Sequence, residues 1–141
     1  MKADGSKQVG LTLPAKPEYV VIARLVVAGV ARQMHFEEEA VEDIRLATSE
    51  ACSNIVKHAY EDKSRKDNII RIDCEVREKQ LAIEVSDRGV GLSEEKFNEV
   101  CDTEPTEGGL GLNIIRALMD EVKYCRDEGA GLRLTLVKNL S

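Results

Sequence analysis

Two neighbouring stretches of alternating apolar and polar residues constrain the fold of this chain more than any other feature of its sequence. They are IIRIDCEV at Ile69–Val76 and LAIEVSD at Leu81–Asp87. Alternation with a period of two is typical of strands that bury one face and expose the other. Because only Arg77–Gln80 separates the stretches, the pattern predicts a hairpin whose apolar face a second layer must cover.

The rest of the sequence supplies that second layer and three further strands. Helical patterns cover Pro17–Met34, Phe36–Asp62 and Gly109–Val122, and strand patterns cover Val9–Pro14, Val122–Arg126 and Gly131–Lys138. Apolar residues run nearly all round the first helix, which predicts that it is well buried. The order β-α-α-β-β-loop-α-β-β predicts a single α+β domain over residues 1–141, a two-layer α/β sandwich whose mixed or antiparallel sheet is covered on one face by helices.

The composition excludes several classes of protein. The net charge is −6, tryptophan is absent and only 4% of the residues are aromatic, which argues against direct nucleic-acid binding through a basic, stacking surface. No apolar run approaches the roughly 20 residues of a membrane span. The four cysteines lie far apart without a C-x-x-C pair, so we expect reduced thiols, no zinc site and a cytoplasmic protein.

Two groups of residues outside the core pattern are candidates for chemistry. Glu50 and Asn54 lie four residues apart on the second helix and therefore share a face. That face could be solvated, pair with a lysine or satisfy a loop, and the spacing does not decide among these roles. Gly108, Gly109 and Gly111 lead into the third helix, where unpaired N–H groups can bind phosphate, although neither a Rossmann fingerprint nor a P-loop is present.

The second alternating strand ends in an unusual sequence, SDRGVGL. Asp87 closes the strand, and glycine follows at both Gly89 and Gly91. A strand that only needs to turn can use one Asn-Gly or Asp-Gly pair. A plain turn therefore explains one of the two glycines and leaves the other without a role.

Three stretches in fixed order resemble a known family. SEACSNIVKHAY, SDRGVGL and EGGLGLNIIRALMDEV are similar to the N, G1 and G2 boxes of the GHKL ATPase and kinase superfamily, which includes gyrase-type ATPases and sensor histidine kinases. Within it, nearly the whole chain resembles the small anti-sigma-factor serine kinases of the RsbW and SpoIIAB type. The resemblance implies the GHKL (Bergerat) ATP-binding fold, with ATP and Mg²⁺ as cofactors.

The resemblance assigns the adenine base to the end of the second alternating strand. It implies that Asp87 accepts a hydrogen bond from the exocyclic amine of adenine, a donor that guanine lacks at the matching edge. Gly89 and Gly91 would let the backbone lie flat against the purine, where a Cβ atom would collide. One departure is visible, because relatives often have a Gly-Thr pair before the last strand and Ala130 stands here at the threonine position.

The resemblance also assigns the phosphate end of the site. Asn54 corresponds to the asparagine that holds Mg²⁺ against the phosphates, and Glu50 to the general base that accepts the proton of the attacking hydroxyl. The acidic loop Ser93–Thr106 corresponds to the nucleotide lid, about residues 93–107. Other residues that could approach the phosphates are Gly108, Gly109 and Gly111 through their backbone, and Lys57 and His58, for which a solvated lysine and a packing histidine are equally good explanations.

The function implied by the resemblance is that of an anti-sigma factor and ATP-dependent serine/threonine protein kinase. Such a protein is a homodimer that binds a sigma factor and phosphorylates its STAS-domain antagonist. An alternative is a nucleotide-gated sigma-binding module without phosphotransfer, but the retention of Glu50 favours the kinase because a pure clamp needs no base. A detached histidine-kinase catalytic domain would need a dimerisation helix with a phosphoacceptor histidine, which no segment here supplies.

Overall fold

The computed structural model describes residues 7–59, 68–87, 112–127 and 131–141. Within these ranges the order of helices and strands is the predicted one. A π-helical turn, Ile55–Ala59, continues directly from the second helix. The elements are β1 Lys7–Pro14, α1 Pro17–Gln33, α2 Glu38–Asn54, β2 Ile69–Val76, β3 Gln80–Asp87, α3 Leu112–Leu118, β4 Glu121–Asp127 and β5 Gly131–Asn139.

The five strands form one sheet in the order β1-β2-β3-β5-β4. Every neighbouring pair is antiparallel, so of the two predicted sheet types the antiparallel one is observed. Both predicted hairpins, β2-β3 and β4-β5, are confirmed. The strand β3 lies at the centre of the sheet, where its last residue, Asp87, is opposite Ile70 of β2.

The hydrophobic core lies between one face of the sheet and the helices. Alternate side chains of the central strands are fully buried, and they meet an equally buried row from α2. Burying one such aliphatic side chain contributes about 1.5–3 kcal/mol to folding, so this layer fixes the position of α2 over the sheet. The residues in question are Ile70, Ile72, Leu81, Ile83, Val85, Leu134 and Leu136 from the strands, and Ile44, Ala47 and Ala51 from α2.

The prediction that α1 is well buried is wrong for its outer side. Val21, Ile22 and Leu25 keep 51%, 40% and 65% of their surface exposed. The helix α1 lies at the edge of the helix layer and packs mainly against α2 and β2. These elements cover only one side of α1, so its other side stays exposed. None of the helices in the described ranges combines the length and the apolarity that crossing a membrane requires.

The ends of the other two helices also differ from the prediction. The α-helix expected to run to Asp62 ends at Asn54 and passes into the π turn, and residues 60–67 lie outside the described ranges. The third helix, predicted to reach Val122, ends at Leu118. The strand β4 begins at Glu121, and Val122 pairs with Leu136 in the sheet.

The cysteines follow the prediction of reduced thiols only in part. Cys52 and Cys74 are free and buried, and burial raises the pKa of each thiol to about 12. A thiol with so high a pKa forms almost no reactive thiolate at neutral pH. Cys125, by contrast, is disulfide-bonded, so the prediction is wrong for this residue, and Cys101 lies outside the described ranges.

Candidate nucleotide site

The helix α2 ends over the same end of the sheet at which β3 ends. Its beginning is fixed at the opposite end, where Lys138 Nζ lies 3.3 Å from Asp43 Oδ2. From Asp43 to Asn54 the helix rises about 16 Å, and β5 covers roughly 20 Å between Leu132 and Lys138. The π turn after Asn54 accordingly packs against β3 and β5. The end of α2 therefore lies near Asp87.

Asp87 is held in place by the neighbouring strand. It is only 2% exposed, and the backbone N–H of Leu132 donates a hydrogen bond of 3.1 Å to its Oδ2 atom. Alternation along β3 places Asp87 on the face that the helices cover. Because a carboxylate offers about four acceptor positions on two oxygens, an Asp87 oriented in this way can also accept a hydrogen bond from a ligand amine.

Glu50 and Asn54 come together on the last turn of α2. Asn54 is 5% exposed and Glu50 is half-buried, and regular α-helical geometry between them keeps both on one face. A carboxamide oxygen is a ligand suited to Mg²⁺, and a carboxylate is suited to accept a proton. No cluster of three metal-ligating side chains occurs within the described part of the chain.

The residues that follow Asn54, Ile55–Ala59, form a π turn. A π turn replaces i→i+4 hydrogen bonds by i→i+5 bonds, and such turns occur frequently at functional sites. Lys57 lies in this turn and is exposed. His58 belongs to the same turn through its backbone, while its side chain lies outside what the structure describes.

The remaining predicted site residues lie outside the described ranges. This holds for the lid, about residues 93–107, for Ala130, and for the glycines assigned to the purine and the phosphates. Their roles stay predictions. The glycines are Gly89, Gly91, Gly108, Gly109 and Gly111.

Two features of this region were not predicted. The N–H group of Leu132 is a backbone donor, which no side-chain pattern reveals. The second feature is Glu84, which is buried at 6% exposure on the face of β3 away from the helices. Burial raises the pKa of this carboxyl to about 7, and Asp73 adds to the rise while Arg133 and Arg71 oppose it.

The chain is similar to known proteins along most of its length. Residues 13–138 match the model of the histidine kinase-like ATPase domain. The serine-protein kinase RsbW of Listeria innocua is 40% identical over 91% of this chain and 85% of its own length. The serine-protein kinase RsbW of Bacillus pumilus is 37% identical over 93% of this chain and 86% of its own length.

Two solved structures share the fold. The RsbU and RsbW domains of a Mycobacterium tuberculosis protein superpose with a TM-score of 0.69 at 21% identity, covering 95% of this chain and 32% of that one. The histidine kinase domain of a blue-light activated kinase from Erythrobacter litoralis superposes with a TM-score of 0.55 at 22% identity, covering 99% of this chain and 66% of that one. By its matched domain and its curated relatives, this chain belongs to the histidine kinase-like ATPase family and, within it, to the RsbW serine-protein kinases.

Proposed function

We propose that this chain is an ATP-dependent serine/threonine protein kinase that also acts as an anti-sigma factor. It would bind a sigma factor and phosphorylate the STAS-domain antagonist of that factor, as a homodimer in the cytoplasm. The observation that carries the kinase assignment is the position of Glu50 and Asn54, on the turn of α2 that ends over the Asp87 end of the sheet.

The adenine end of the site depends on Asp87. Its Oδ2 atom is oriented by the Leu132 N–H group, so the carboxylate keeps one direction and can accept the exocyclic amine of adenine. Guanine carries a carbonyl oxygen at that edge, and an oxygen facing a carboxylate is repelled. Asp87 would in this way select ATP over GTP.

The phosphate end depends on the last turn of α2. Asn54 would hold Mg²⁺ through its carboxamide oxygen, and the bound ion would neutralise charge on the phosphates. Glu50 would accept the proton of the substrate hydroxyl while that oxygen forms its bond to the γ-phosphorus and ADP leaves. A purely nucleotide-gated clamp would need Asp87 and Asn54 but no base.

Substitution of Glu50 separates the kinase from the clamp. Glu50→Gln should keep the affinity for Mg-ATP and for the sigma factor, because Asp87 and Asn54 are unchanged. Phosphate transfer to the STAS-domain antagonist should fall by roughly 10²–10⁴-fold, the usual contribution of a positioned base. The measurements are calorimetry with Mg-ATP and transfer of labelled phosphate from ATP to the purified antagonist.

Two further variants complete this experiment. Glu39→Gln, an exposed carboxyl at the other end of α2, should leave the transfer rate unchanged. Asn54→Ala should lose Mg²⁺ and tight ATP binding, and with them both activities. A Glu50→Gln protein that phosphorylates the antagonist at the wild-type rate would refute the catalytic role and leave the clamp.

A further inference from the structure

Two large apolar side chains lie exposed on the outer side of the helix layer, on the two helices that follow α1. Leu46 on α2 is 49% exposed, and Ile114 on α3 is 47% exposed. The other large apolar side chains that are exposed in the described ranges belong to β1 and α1. The helix α3 packs instead beside β4, at the opposite edge of the sheet from β1.

Leu46 lies one helical turn before the proposed base. It precedes Glu50 by four residues in an unbroken α-helix, so the two side chains share one face, with about 5–6 Å between their Cβ atoms. Leu46 is exposed and Glu50 is half-buried. A molecule that brings a hydroxyl to Glu50 from the outer side of the helix layer therefore also meets Leu46.

The helix α3 runs antiparallel to α2. Only Met119 and Asp120 separate α3 from β4, and β4 runs toward the Asp87 end of the sheet, where its last residue pairs with Gly131. Because α3 packs against both β4 and α2, it comes from the Asp87 end and descends beside α2.

Ile114 lies at about the same level of the helix layer as Leu46. Lys138 Nζ lies 3.3 Å from Asp43 Oδ2 and 2.5 Å from the carbonyl oxygen of Leu118, so α3 ends beside the Asp43 turn of α2. Leu46 lies three residues after Asp43, and Ile114 lies four residues before Leu118. These steps correspond to about 4.5 and 6 Å along the two helices, in the same direction. The two exposed side chains therefore form one surface feature, the Leu46–Ile114 pair.

A folded substrate that reaches Glu50 also covers this pair. A typical protein–protein interface covers about 800 Å² of each partner, a patch of about 16 Å radius. Leu46 is next to Glu50, and Ile114 lies on a helix whose axis is about 8–10 Å away. We propose that the Leu46–Ile114 pair is the docking contact for the STAS-domain antagonist. This inference rests on the proposed kinase activity and names the surface that recognises its substrate.

The position of the pair favours the antagonist over the sigma factor. Phosphate transfer requires a substrate hydroxyl within hydrogen-bond distance of Glu50, so the substrate protein has to contact the last turns of α2. A sigma factor that is bound without reaction has no such requirement. A few well-placed residues supply most of the binding free energy of an interface, and an apolar pair beside the reacting group can both bind the substrate and position it.

Two substitutions test the docking contact. Leu46→Asp and Ile114→Asp should each raise the KM for the antagonist at least roughly tenfold. The kcat at saturating antagonist and the affinity for Mg-ATP should stay at their wild-type values, because the residues of the proposed nucleotide site are unchanged. A rise in KM with constant kcat is the sign of lost substrate binding. Transfer of labelled phosphate over a concentration series of antagonist measures KM and kcat, and calorimetry measures Mg-ATP binding.

Two further variants are the matched controls. Leu46→Met keeps an apolar side chain of similar volume, so its KM should stay within about twofold of the wild type. Val9→Asp places the same charge at a 40% exposed apolar position on β1, at the far edge of the sheet, and should leave KM unchanged. Circular dichroism establishes that each variant is folded. Folded Leu46→Asp and Ile114→Asp proteins with the wild-type KM, or an equal rise in Val9→Asp, would overturn the proposal.

Direct binding of the unphosphorylated antagonist separates this inference from the proposed function. A wild type that binds the antagonist through Leu46 but transfers no phosphate would refute the kinase and leave the docking contact intact. A wild type that phosphorylates the antagonist with a KM independent of Leu46 and Ile114 would refute the docking contact and leave the kinase. A Leu46→Asp protein that binds the antagonist normally but loses the sigma factor would assign the pair to the sigma factor and refute the proposal.

Discussion

The strand β3 carries two buried carboxyl groups three residues apart, and they differ in almost every other respect. Asp87 lies on the face that the helices cover and accepts a hydrogen bond from the backbone N–H group of Leu132. Glu84 lies on the opposite face, between charged residues of the neighbouring strands, and burial raises its pKa to about 7. Their exposures, 2% and 6%, are nearly the same.

Burial alone therefore does not distinguish the two carboxyl groups. What distinguishes Asp87 is a fixed backbone donor together with the end of α2 nearby. Glu84 stands opposite Asp73 on β2, a like charge that opposes its ionisation. We therefore expect Asp87 to determine ligand binding and Glu84 to determine how stability depends on pH.

The largest expected effect is that of Asp87→Asn on nucleotide binding. The carboxamide would present an N–H donor in place of an acceptor to the adenine amine. The free energy of ATP binding should become less favourable by about 3 kcal/mol, the upper end for a hydrogen bond to a charged group. Isothermal calorimetry with Mg-ATP measures this change, and thermal unfolding establishes that the variant is folded.

Glu84→Gln is the control that tests whether Asp87 and Glu84 differ in their effect on ATP binding. It changes a buried carboxyl of the same strand in the same way, but on the face away from the helices, so its ATP affinity should equal that of the wild type. Equal losses of affinity in both variants would mean that β3 as a whole, and not Asp87, supports binding.

The second effect concerns stability and pH. The ordinary pKa of a glutamate side chain is 4.5, and the pKa of Glu84 in the folded chain is about 7. Folding therefore favours the protonated form of Glu84. Below pH 4.5 the Glu84 carboxyl is protonated in the folded and the unfolded chain and does not affect the free energy of unfolding. Between pH 4.5 and pH 7 the unfolded chain ionises the group more readily than the folded chain, so the free energy of unfolding falls. Above pH 7 this loss is constant. Glu84→Gln should therefore be more stable than the wild type at pH 8 by about 2–3 kcal/mol, and equally stable near pH 4.

Urea unfolding at a series of pH values measures this difference. Glu121→Gln is the matched control, because Glu121 lies on the same face of the sheet but is exposed. Its stability should follow that of the wild type at every pH. A difference between Glu84→Gln and the wild type that does not change with pH would contradict the raised pKa.

The smallest expected effect comes from Gly10 on β1, which also lies on the open face. A Cβ atom there would come within 2.8 Å of Asp73 Oδ1 and would also meet the guanidinium of Arg71. Gly10→Ala should therefore displace the Arg71–Asp73 ion pair and lower the free energy of unfolding by about 1 kcal/mol. Urea unfolding of this variant measures the loss.

Removing the ion pair first gives the control for Gly10. In an Arg71→Ala background the added methyl group has more room, so Gly10→Ala should cost much less there. A double-mutant cycle over these two positions measures the coupling. An equal cost in both backgrounds would show that the ion pair is not what limits the space.

Much of the fold could be predicted because its signals are local. Alternation in Ile69–Val76 and Leu81–Asp87 depends on the two faces of a sheet, and the order of elements leaves few ways to cover one face with helices. The π turn after Asn54 and the early end of α3 could not be predicted, because tertiary packing against the sheet decides where a helix ends. The exposed side of α1 was missed for a similar reason, since apolar content does not reveal a position at the edge of a layer.

In the candidate site, too, the features that local motifs determine were predicted and those that tertiary structure determines were missed. Asp87, Glu50 and Asn54 were predicted from motifs, and the structure brings the end of α2 to the end of β3. The Leu132 N–H group could not be predicted, because every residue but proline has one and only the strand pairing selects it. Glu84 was missed because alternation assigns a residue to a face and says nothing of the neighbours that bury it there.

The hydrogen bond between Leu132 and Asp87 joins residues that lie 45 positions apart. This hydrogen bond to the Oδ2 atom of Asp87 forms only after β5 has paired with β3. A nucleotide site that depends on it would therefore be absent from any partly folded form that lacks this pairing. A ligand that binds only the completed sheet stabilises it by about 2.7 kcal/mol at a hundredfold excess over its dissociation constant. If Asp87 binds ATP as proposed, cellular ATP would act as a folding ligand for this chain, and starvation for ATP would shorten the lifetime of the protein before any change in its synthesis.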